Sequence, residues 1–125
     1  MLQFEIMMFD ELTKNLIISG RKTVTRRLRK DHRRPAIPNT THKLKIDRTH
    51  KTYGFIYILS CEKGYLGNLS SLDAINEGFD TRNEYLEYFK KVNGTNAYNT
   101  PIWIITFKYL SKKQAFLIRR YRQCK

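Results

Sequence analysis

Along this chain of 125 residues, apolar and polar positions follow the period of a β-strand in some segments and the period of an α-helix in others. Together these segments predict strands near both ends with helices between them. Residues 2–8 are mostly apolar and predict a first strand. Residues 53–61 are almost continuously apolar, β-branched or aromatic, which is typical of a strand buried on both faces. Residues 42–46 predict a short strand, and residues 102–110, introduced by Pro101, predict the last one.

Capping residues and apolar spacing predict three helices in the domain. Asp10 caps the first, in which Leu12, Leu16 and Ile17 form one apolar stripe, and Gly20 ends it. A short second helix begins at a serine, 70 or 71, and closes at a glycine, 78. The third begins with a capping box formed by Thr81 and Glu84, and Gly94 ends it. Its predicted inward-facing residues are Tyr85, Tyr88, Phe89 and Val92.

A cationic segment follows the first helix. Residues 20–29 hold five cations and no acid, namely Arg21, Lys22, Arg26, Arg27 and Arg29. The chain is predicted to be extended from about Thr23, with a Pro-containing basic loop at 30–41. Such charge suits the binding of phosphate or carboxylate, since Arg and Lys supply charge-assisted donors. It also suits a solvated edge strand, in which the cations block pairing with another sheet.

Strands at both ends with helices between them, and few βαβ signals, predict an α+β fold. We expect a small β-barrel flanked by short helices, formed as one domain by residues 1–110. Residues 111–125 form a basic tail with six cations and no acid. The tail reads as a helix capped by Ser111, with one side lined by Ala115, Phe116, Leu117, Ile118 and Tyr121. We expect that side to pack on the barrel; the alternative is a basic amphipathic helix that lies on a membrane or on nucleic acid.

The charge balance indicates an anionic partner. Lys and Arg number 24 against 11 Asp and Glu, which gives a net charge of +13 and a pI near 10. Nucleic acid or an anionic membrane surface fits that imbalance. No apolar run reaches the roughly 20 residues that a membrane span needs. The start of the chain lacks the pattern of a signal peptide, and the only cysteines are Cys61 and Cys124, so we expect an intracellular, cytoplasmic protein.

No metal site is predicted, because the three histidines and two cysteines lack any ligand spacing. The histidines are His32, His42 and His50. No motif for a cofactor is found either, so we predict none.

A family resemblance joins these observations. A helix followed by Gly20-x-Lys22-x-x-Thr25-x-Arg27 resembles the signature of the ASCH domain, usually written Gly-x-Lys-x-x-Glu-x-Arg. The resemblance continues in order through residues 33–35, 53–61, 74–79, 81–92 and 101–107. The ASCH domain is a relative of the PUA domain of RNA-modifying proteins. The resemblance therefore implies a PUA-like barrel and RNA as a partner.

One position departs from the general signature. Thr25 stands where the signature has Glu, and this is similar to small bacterial ASCH proteins that act as amidohydrolases on acetylated cytidine. In those proteins a Lys, a Thr and a later Glu form the proposed catalytic set, and the matching positions here are Lys22, Thr25 and Glu77. A neutral Lys would take the Thr proton, and the Glu would protonate the leaving amine or orient the Lys. In the alternative interpretation Lys22 binds phosphate, Thr25 bonds to its own sheet and Glu77 fixes a loop.

Strand alternation constrains this set. In a regular strand Thr25 and Arg27 share one face, and Lys22 has the wrong parity to join them. Lys22 can reach the same site only if the strand begins after it, and a turn at residues 20–21 would permit that.

We predict, on these grounds, an RNA-binding protein with a cationic cleft, for which DNA is a second possible nucleic acid. The alternative is an enzyme that uses the same cleft, either an acetylcytidine amidohydrolase or a ribonuclease. Binding to a membrane surface is not favoured. The predicted nucleic-acid contacts are Arg21, Lys22, Arg26, Arg27, Arg29, Arg33, Arg34, Lys43 and Lys45.

Overall fold

The computed structural model describes residues 5–30 and 33–123. These residues form an α+β fold, as predicted. The elements are β1 (Glu5–Met8), α1 (Glu11–Ile18), β2 (Val24–Leu28), β3 (Thr41–Lys45), β4 (Phe55–Tyr65), α2 (Ser71–Asn76), α3 (Arg82–Asn93), β5 (Pro101–Leu110) and α4 (Lys112–Gln123). A 3₁₀ turn, Leu66–Asn68, lies between β4 and α2. The first residues of the predicted first strand, 2–4, lie outside the described part of the chain.

The five strands form one sheet in the order β1-β3-β4-β5-β2. β1 runs parallel to β3, and the other three neighbouring pairs are antiparallel. Within the described residues no ladder joins β1 to β2, so the sheet is not closed into a barrel. The two strands at the open edges are consecutive in sequence, and α1 connects them. The opening between them becomes the site described below.

Two apolar clusters cover the two faces of the sheet. One contains Ile17 of α1 with Ile105 and Trp103 of β5, and the other contains Tyr85 and Phe89 of α3 with buried residues of the 3₁₀ turn and β5. Residues directly opposite in an antiparallel ladder share a face. Thr25 pairs with Ile105, Arg27 with Trp103 and Arg26 with Ile104. The side chains of Thr25 and Arg27 therefore lie on one face of β2 and that of Arg26 lies on the other.

The predicted helix starts are confirmed. Asp10 accepts a hydrogen bond from the Thr13 amide at 2.8 Å, and Thr81 accepts one from the Glu84 amide at 3.1 Å. Ser70 begins α2 in a reciprocal capping box with Asp73. Each cap satisfies an amide that the first helical turn leaves without a partner.

Three expectations about burial are wrong. Val92 of α3, expected to face inward, is 56% exposed. The stripe of α1 does not include Leu12, which is 52% exposed, because the helix turns Thr13, Lys14 and Ile17 toward the sheet. β4 is not buried on both faces; its side chains alternate between inside and outside. It also runs on through polar residues to Tyr65, because its ladder with β5 continues to Pro101.

The expected packing of the tail is also wrong. In α4 the exposed fractions of Phe116, Leu117 and Ile118 are 58%, 54% and 40%. The principal neighbour of α4 is β5, the strand that it follows directly. Phe116, Leu117 and Ile118 therefore lie in solvent, and among residues 112–120 of the helix only Ala115 is half-buried.

Candidate functional site

A cleft of about 380 Å³ lies at the open edge of the sheet. Its walls come from the end of β1, the start of β2, the end of α2 and the inner face of α3. The lining residues are Met8, Phe9, Asp10, Thr13, Lys22, Thr25, Arg26, Arg27, Ile46, Glu77, Tyr85, Tyr88, Phe89, Val92 and Asn93. The cleft thus combines cations, carboxylates, one hydroxyl and aromatic rings.

A turn after α1 places Lys22 in this cleft. Gly20 adopts a positive φ of 84°, which glycine tolerates without steric cost. The amides of Arg21 and Lys22 both bond to the Leu16 carbonyl at 3.0 Å. Because β2 begins only at Val24, strand alternation does not apply to Lys22, and it lines the same cleft as Thr25. The turn that the sequence required is therefore present.

The end of α2 places Glu77. Its amide bonds back to the Asp73 carbonyl at 3.0 Å, and the next residue, Gly78, has a φ of 95°. That φ favours glycine, and a Cβ at Gly78 would also lie 2.8 Å from Cδ1 of Leu16, which would have to shift. The Thr23 amide also bonds to the Asn76 carbonyl at 2.9 Å, which ties the start of β2 to α2.

Lys22, Glu77 and Arg26 form a buried charge cluster. Lys22 Nζ pairs with Glu77 Oε1, and Arg26 Nη1 donates to Glu77 Oε2 at 2.9 Å. The exposed fractions of these residues are 3% for Lys22, 0% for Glu77 and 8% for Arg26. Arg26 also reaches the partly exposed Asp73 at 3.4 Å. Buried charges persist only when they are paired, and Glu77 is the shared partner of two cations.

Burial shifts the pKa of Lys22 in this cluster and of Tyr85 beside it. Burial lowers the pKa of Lys22, and the attraction of Glu77 offsets that change only in part. Burial, together with the Glu77 charge and a hydrogen bond to Glu77, raises the pKa of Tyr85 well above its ordinary value. Tyr85 therefore stays a neutral phenol beside Glu77 at physiological pH.

Arg27 connects the two open edges of the sheet. Its Nε donates to Thr25 Oγ1 at 3.3 Å, and its Nη2 donates to the Met8 carbonyl at 2.9 Å. The guanidinium also lies over the Phe9 ring, 4.7 Å from the ring centre. A guanidinium carries five N–H donors, so Arg27 keeps donors beyond these two contacts.

Asp10 and Tyr88 form a second polar pair in the cleft, and the sequence did not single them out as functional. The Tyr88 hydroxyl donates to Asp10 Oδ2. Burial raises the pKa of Asp10, but hydrogen bonds from Tyr88 and Thr13 outweigh it and the pKa is lowered overall. Asp10 had a local explanation as a helix cap and Tyr88 as an inward residue of α3. No local signal reveals a contact across 78 positions.

Five of the predicted site residues lie together in the cleft, and six do not. Those in the cleft are Lys22, Thr25, Glu77, Arg26 and Arg27. Arg21 is exposed and pairs with Asp80 at 3.2 Å. Arg29 lies over the Tyr65 ring at 5.6 Å, and Lys45 donates to the Thr49 carbonyl at 2.8 Å. The others outside the lining are the exposed Arg33 and Arg34 and the half-buried Lys43. For these six, contact with nucleic acid stays a prediction.

Across residues 5–30 and 33–123, no group of three or more His, Cys, Asp and Glu side chains is arranged to hold a metal ion. His32 and Cys124 lie outside those ranges. No helix in the described part of the chain is both long and apolar enough to cross a membrane.

Solved structures of known proteins resemble this chain over most of its length. A protein from Enterococcus faecalis described by the family model DUF984 has a TM-score of 0.68 at 17% identity, over 89% of this chain and 82% of that chain. An ASCH domain from Lactobacillus crispatus has a TM-score of 0.63 at 18% identity, over 86% of this chain and 79% of that chain. An ASCH protein from Zymomonas mobilis has a TM-score of 0.57 at 20% identity, over 92% of this chain and 78% of that chain.

These similarities define the class of protein at the level of the fold. No protein-family model matches the sequence, and no curated protein matches it. The chain has the ASCH fold, with a PUA-like α+β architecture whose sheet remains open. The family that the signature at residues 20–27 indicated is thus confirmed at the level of the fold.

Proposed function

We propose that this chain binds RNA by taking one unstacked nucleotide into the cleft, while cations outside the cleft attract the phosphate backbone. The volume of about 380 Å³ supports this proposal. It lies toward the small end of ligand pockets, which span about 300–1,000 Å³, and it suits one nucleotide better than a duplex. RNA is commonly recognised through single bases that leave the stack and lie against aromatic side chains or Arg planes.

The donors that converge in the cleft carry the proposal. Arg27 uses two of its five N–H groups on Thr25 and Met8, and Lys22 uses one of three on Glu77. The remaining donors suit the carbonyl oxygens of a base or a phosphate oxygen. Tyr88, half-buried on α3, offers an aromatic surface beside them.

The charge of the cleft itself is nearly balanced. Lys22, Arg26 and Arg27 face the carboxylates of Asp10 and Glu77. The net charge of +13 is therefore carried mostly elsewhere. Such dispersed charge supplies long-range, salt-dependent attraction to phosphates without base specificity. The cleft would then supply selectivity, because its donors are fixed in place by their protein partners.

Binding of a labelled single-stranded RNA, measured by fluorescence anisotropy at several salt concentrations, tests this function. DNA of the same sequence and a duplex serve as competitors. Arg27→Gln should weaken RNA binding by about tenfold or more, since a hydrogen bond from a charged group contributes about 1.5–3 kcal/mol. Lys108→Gln removes the same charge from an exposed position on β5 and should cost about threefold or less.

Circular dichroism of Arg27→Gln must first show a folded protein, because Arg27 also links β2 to the end of β1. Equal losses in Arg27→Gln and Lys108→Gln would contradict a role for the cleft. Absence of RNA binding by the unmodified chain would contradict the proposed function itself.

A second candidate function is hydrolysis of an acetylated nucleoside, because Lys22, Thr25 and Glu77 line one cleft. Burial lowers the pKa of Lys22, which makes its neutral amine more accessible as a base. The amine would take the Thr25 proton as the hydroxyl oxygen attacks the acetyl carbon. The nucleoside amine would leave with a proton, and water would then release acetate from Thr25.

Release of acetate from acetylcytidine tests that candidate. Thr25→Val should abolish turnover, and Thr25→Ser should retain part of it, since a primary hydroxyl can still attack. Under the binding proposal, either substitution changes RNA affinity by no more than about 1.5 kcal/mol. The binding proposal is the stronger of the two because both carboxylate oxygens of Glu77 are already paired, one with Lys22 and the other with Arg26.

A further inference from the structure

Helix α4 presents apolar and cationic side chains to solvent together. Phe116, Leu117 and Ile118 are exposed by 58%, 54% and 40%, although apolar side chains normally find cover. Lys112, Lys113, Arg119 and Arg120 are exposed on the same helix, and residues 111–125 contain no acid. None of these residues lines the cleft.

The two kinds of side chain separate only in part around the helix. At 100° per residue, Leu117 and Ile118 lie on the side opposite Lys112 and Arg119. Lys113 and Arg120 lie beside Leu117, and Phe116 lies among the cations. A helix with low overall hydrophobicity, a Lys- and Arg-rich side and exposed Leu, Ile and Phe is typical of segments that lie in the plane of a membrane interface.

Three occupants fit an exposed helix of this kind, and charge and apolarity distinguish them. A second copy of the chain would bring together two helices that carry only positive charge, so docking of α4 on α4 is repulsive. Nucleic acid would neutralise the cations but leave Leu117 and Ile118 in water. An anionic lipid surface satisfies both, since headgroups neutralise the cations and the interface takes up the apolar side chains.

We propose that α4 docks on the surface of a membrane that contains anionic lipids. The helix lies in the interface and does not cross the bilayer. Docking does not depend on nucleotide binding in the cleft, because α4 contributes no residue to the cleft. Since α4 follows β5 directly, docking would hold the ASCH fold at the membrane surface.

Co-sedimentation of the full chain with vesicles tests the proposal. One vesicle population contains phosphatidylcholine alone, and the other contains phosphatidylcholine with phosphatidylglycerol. We expect at least about tenfold stronger binding to the second population, weakened by salt, because each Lys or Arg near an anionic surface contributes about fivefold.

Two double variants separate the contributions. Arg119→Gln with Arg120→Gln should reduce vesicle binding by about 25-fold, at about fivefold per cation. Leu117→Ser with Ile118→Ser should reduce it about tenfold or more, because apolar burial in the interface is lost. Lys90→Gln with Lys91→Gln on α3 and Leu72→Ser with Ile75→Ser on α2 make the same changes at other exposed positions, and should each cost about threefold or less.

Five outcomes would overturn the proposal. The first two are binding of the unmodified chain to neither vesicle, or to both equally. Full binding by the Leu117 and Ile118 variant would mean that the apolar side does not insert. Unchanged vesicle binding combined with a loss of RNA affinity in the Arg119 and Arg120 variant would identify nucleic acid as the occupant. A change in sedimented mass of the lipid-free chain in the α4 variants would identify a second copy.

Discussion

The cleft and α4 are both rich in cations, but they hold their charge in opposite ways. In the cleft, Lys22 and Arg26 are buried and share the carboxylate of Glu77. On α4, Arg119 and Arg120 are exposed in a segment that has no acid. A buried cation must be paired, since leaving water is costly, whereas an exposed one needs no partner.

This difference indicates two roles for the cations, which a count of charges does not distinguish. The paired cations of the cleft have fixed positions, which suits recognition of one small group. The exposed cations of α4 act over a longer range and are screened by salt, which suits attraction to an extended anionic surface. A net charge of +13 therefore does not by itself indicate where a partner binds.

The largest expected effect on stability comes from Glu77→Gln. This substitution leaves Lys22 and Arg26 buried with no shared carboxylate, and breaking a buried ion pair in this way costs about 3–5 kcal/mol of unfolding free energy. Urea unfolding followed by circular dichroism measures the loss. Glu87→Gln, which changes an exposed carboxylate on α3, should cost about 0.5 kcal/mol or less. Similar losses in the two variants would contradict the contrast between buried and exposed charge.

A smaller effect concerns pH. Burial lowers the pKa of Lys22 below 10.5, so between the folded pKa and 10.5 the unfolded chain binds more protons than the folded chain. The stability of the chain relative to Lys22→Met should therefore rise with pH in the alkaline range below 10.5, by no more than about 1.4 kcal/mol per pH unit. Urea unfolding at a series of alkaline pH values measures this difference.

Lys108→Met is the control for loss of an exposed ammonium. A difference between the unmodified chain and Lys22→Met that falls as the pH rises would mean that Glu77, and not burial, dominates the proton affinity of Lys22.

The smallest effect is expected on α4. Arg119→Gln with Arg120→Gln should change the unfolding free energy by about 0.5 kcal/mol or less, as for most surface substitutions. The same variant is expected to lose most of its vesicle binding. A loss of stability comparable to that of Glu77→Gln would show that these arginines support the fold, and the two regions would no longer differ.

Local signals in the sequence predicted much of the fold. Asp10, Ser70 and Thr81 mark helix starts through side-chain bonds to amides three residues away, and such bonds depend on nearby sequence alone. The end of β4 was missed because polar residues continue the strand only through pairing with β5. The exposure of α4 was missed because an apolar pattern does not show whether a surface is available to cover it.

For the site too, the sequence predicted the residues that depend on local signals and missed those that depend on long-range contacts. The family resemblance indicated Lys22, Thr25 and Glu77, and the turn at Gly20 follows from strand parity. Asp10 and Tyr88 line the cleft only because the opening between the edge strands β1 and β2 lies beside α3. The pairing of Arg27 with the Met8 carbonyl also depends on that opening, and no spacing in the sequence reports it.

Backbone amide chemical shifts, recorded on the full chain during titration with a short single-stranded RNA, test the central claim most directly. We expect RNA to shift the amides of the cleft, at residues 9–10, 22–27 and 88, more strongly than those of α4. Vesicles that contain anionic lipid should have the reverse effect, with signal loss centred on α4. RNA-dependent shifts that concentrate on α4 and leave the cleft unchanged would contradict the account.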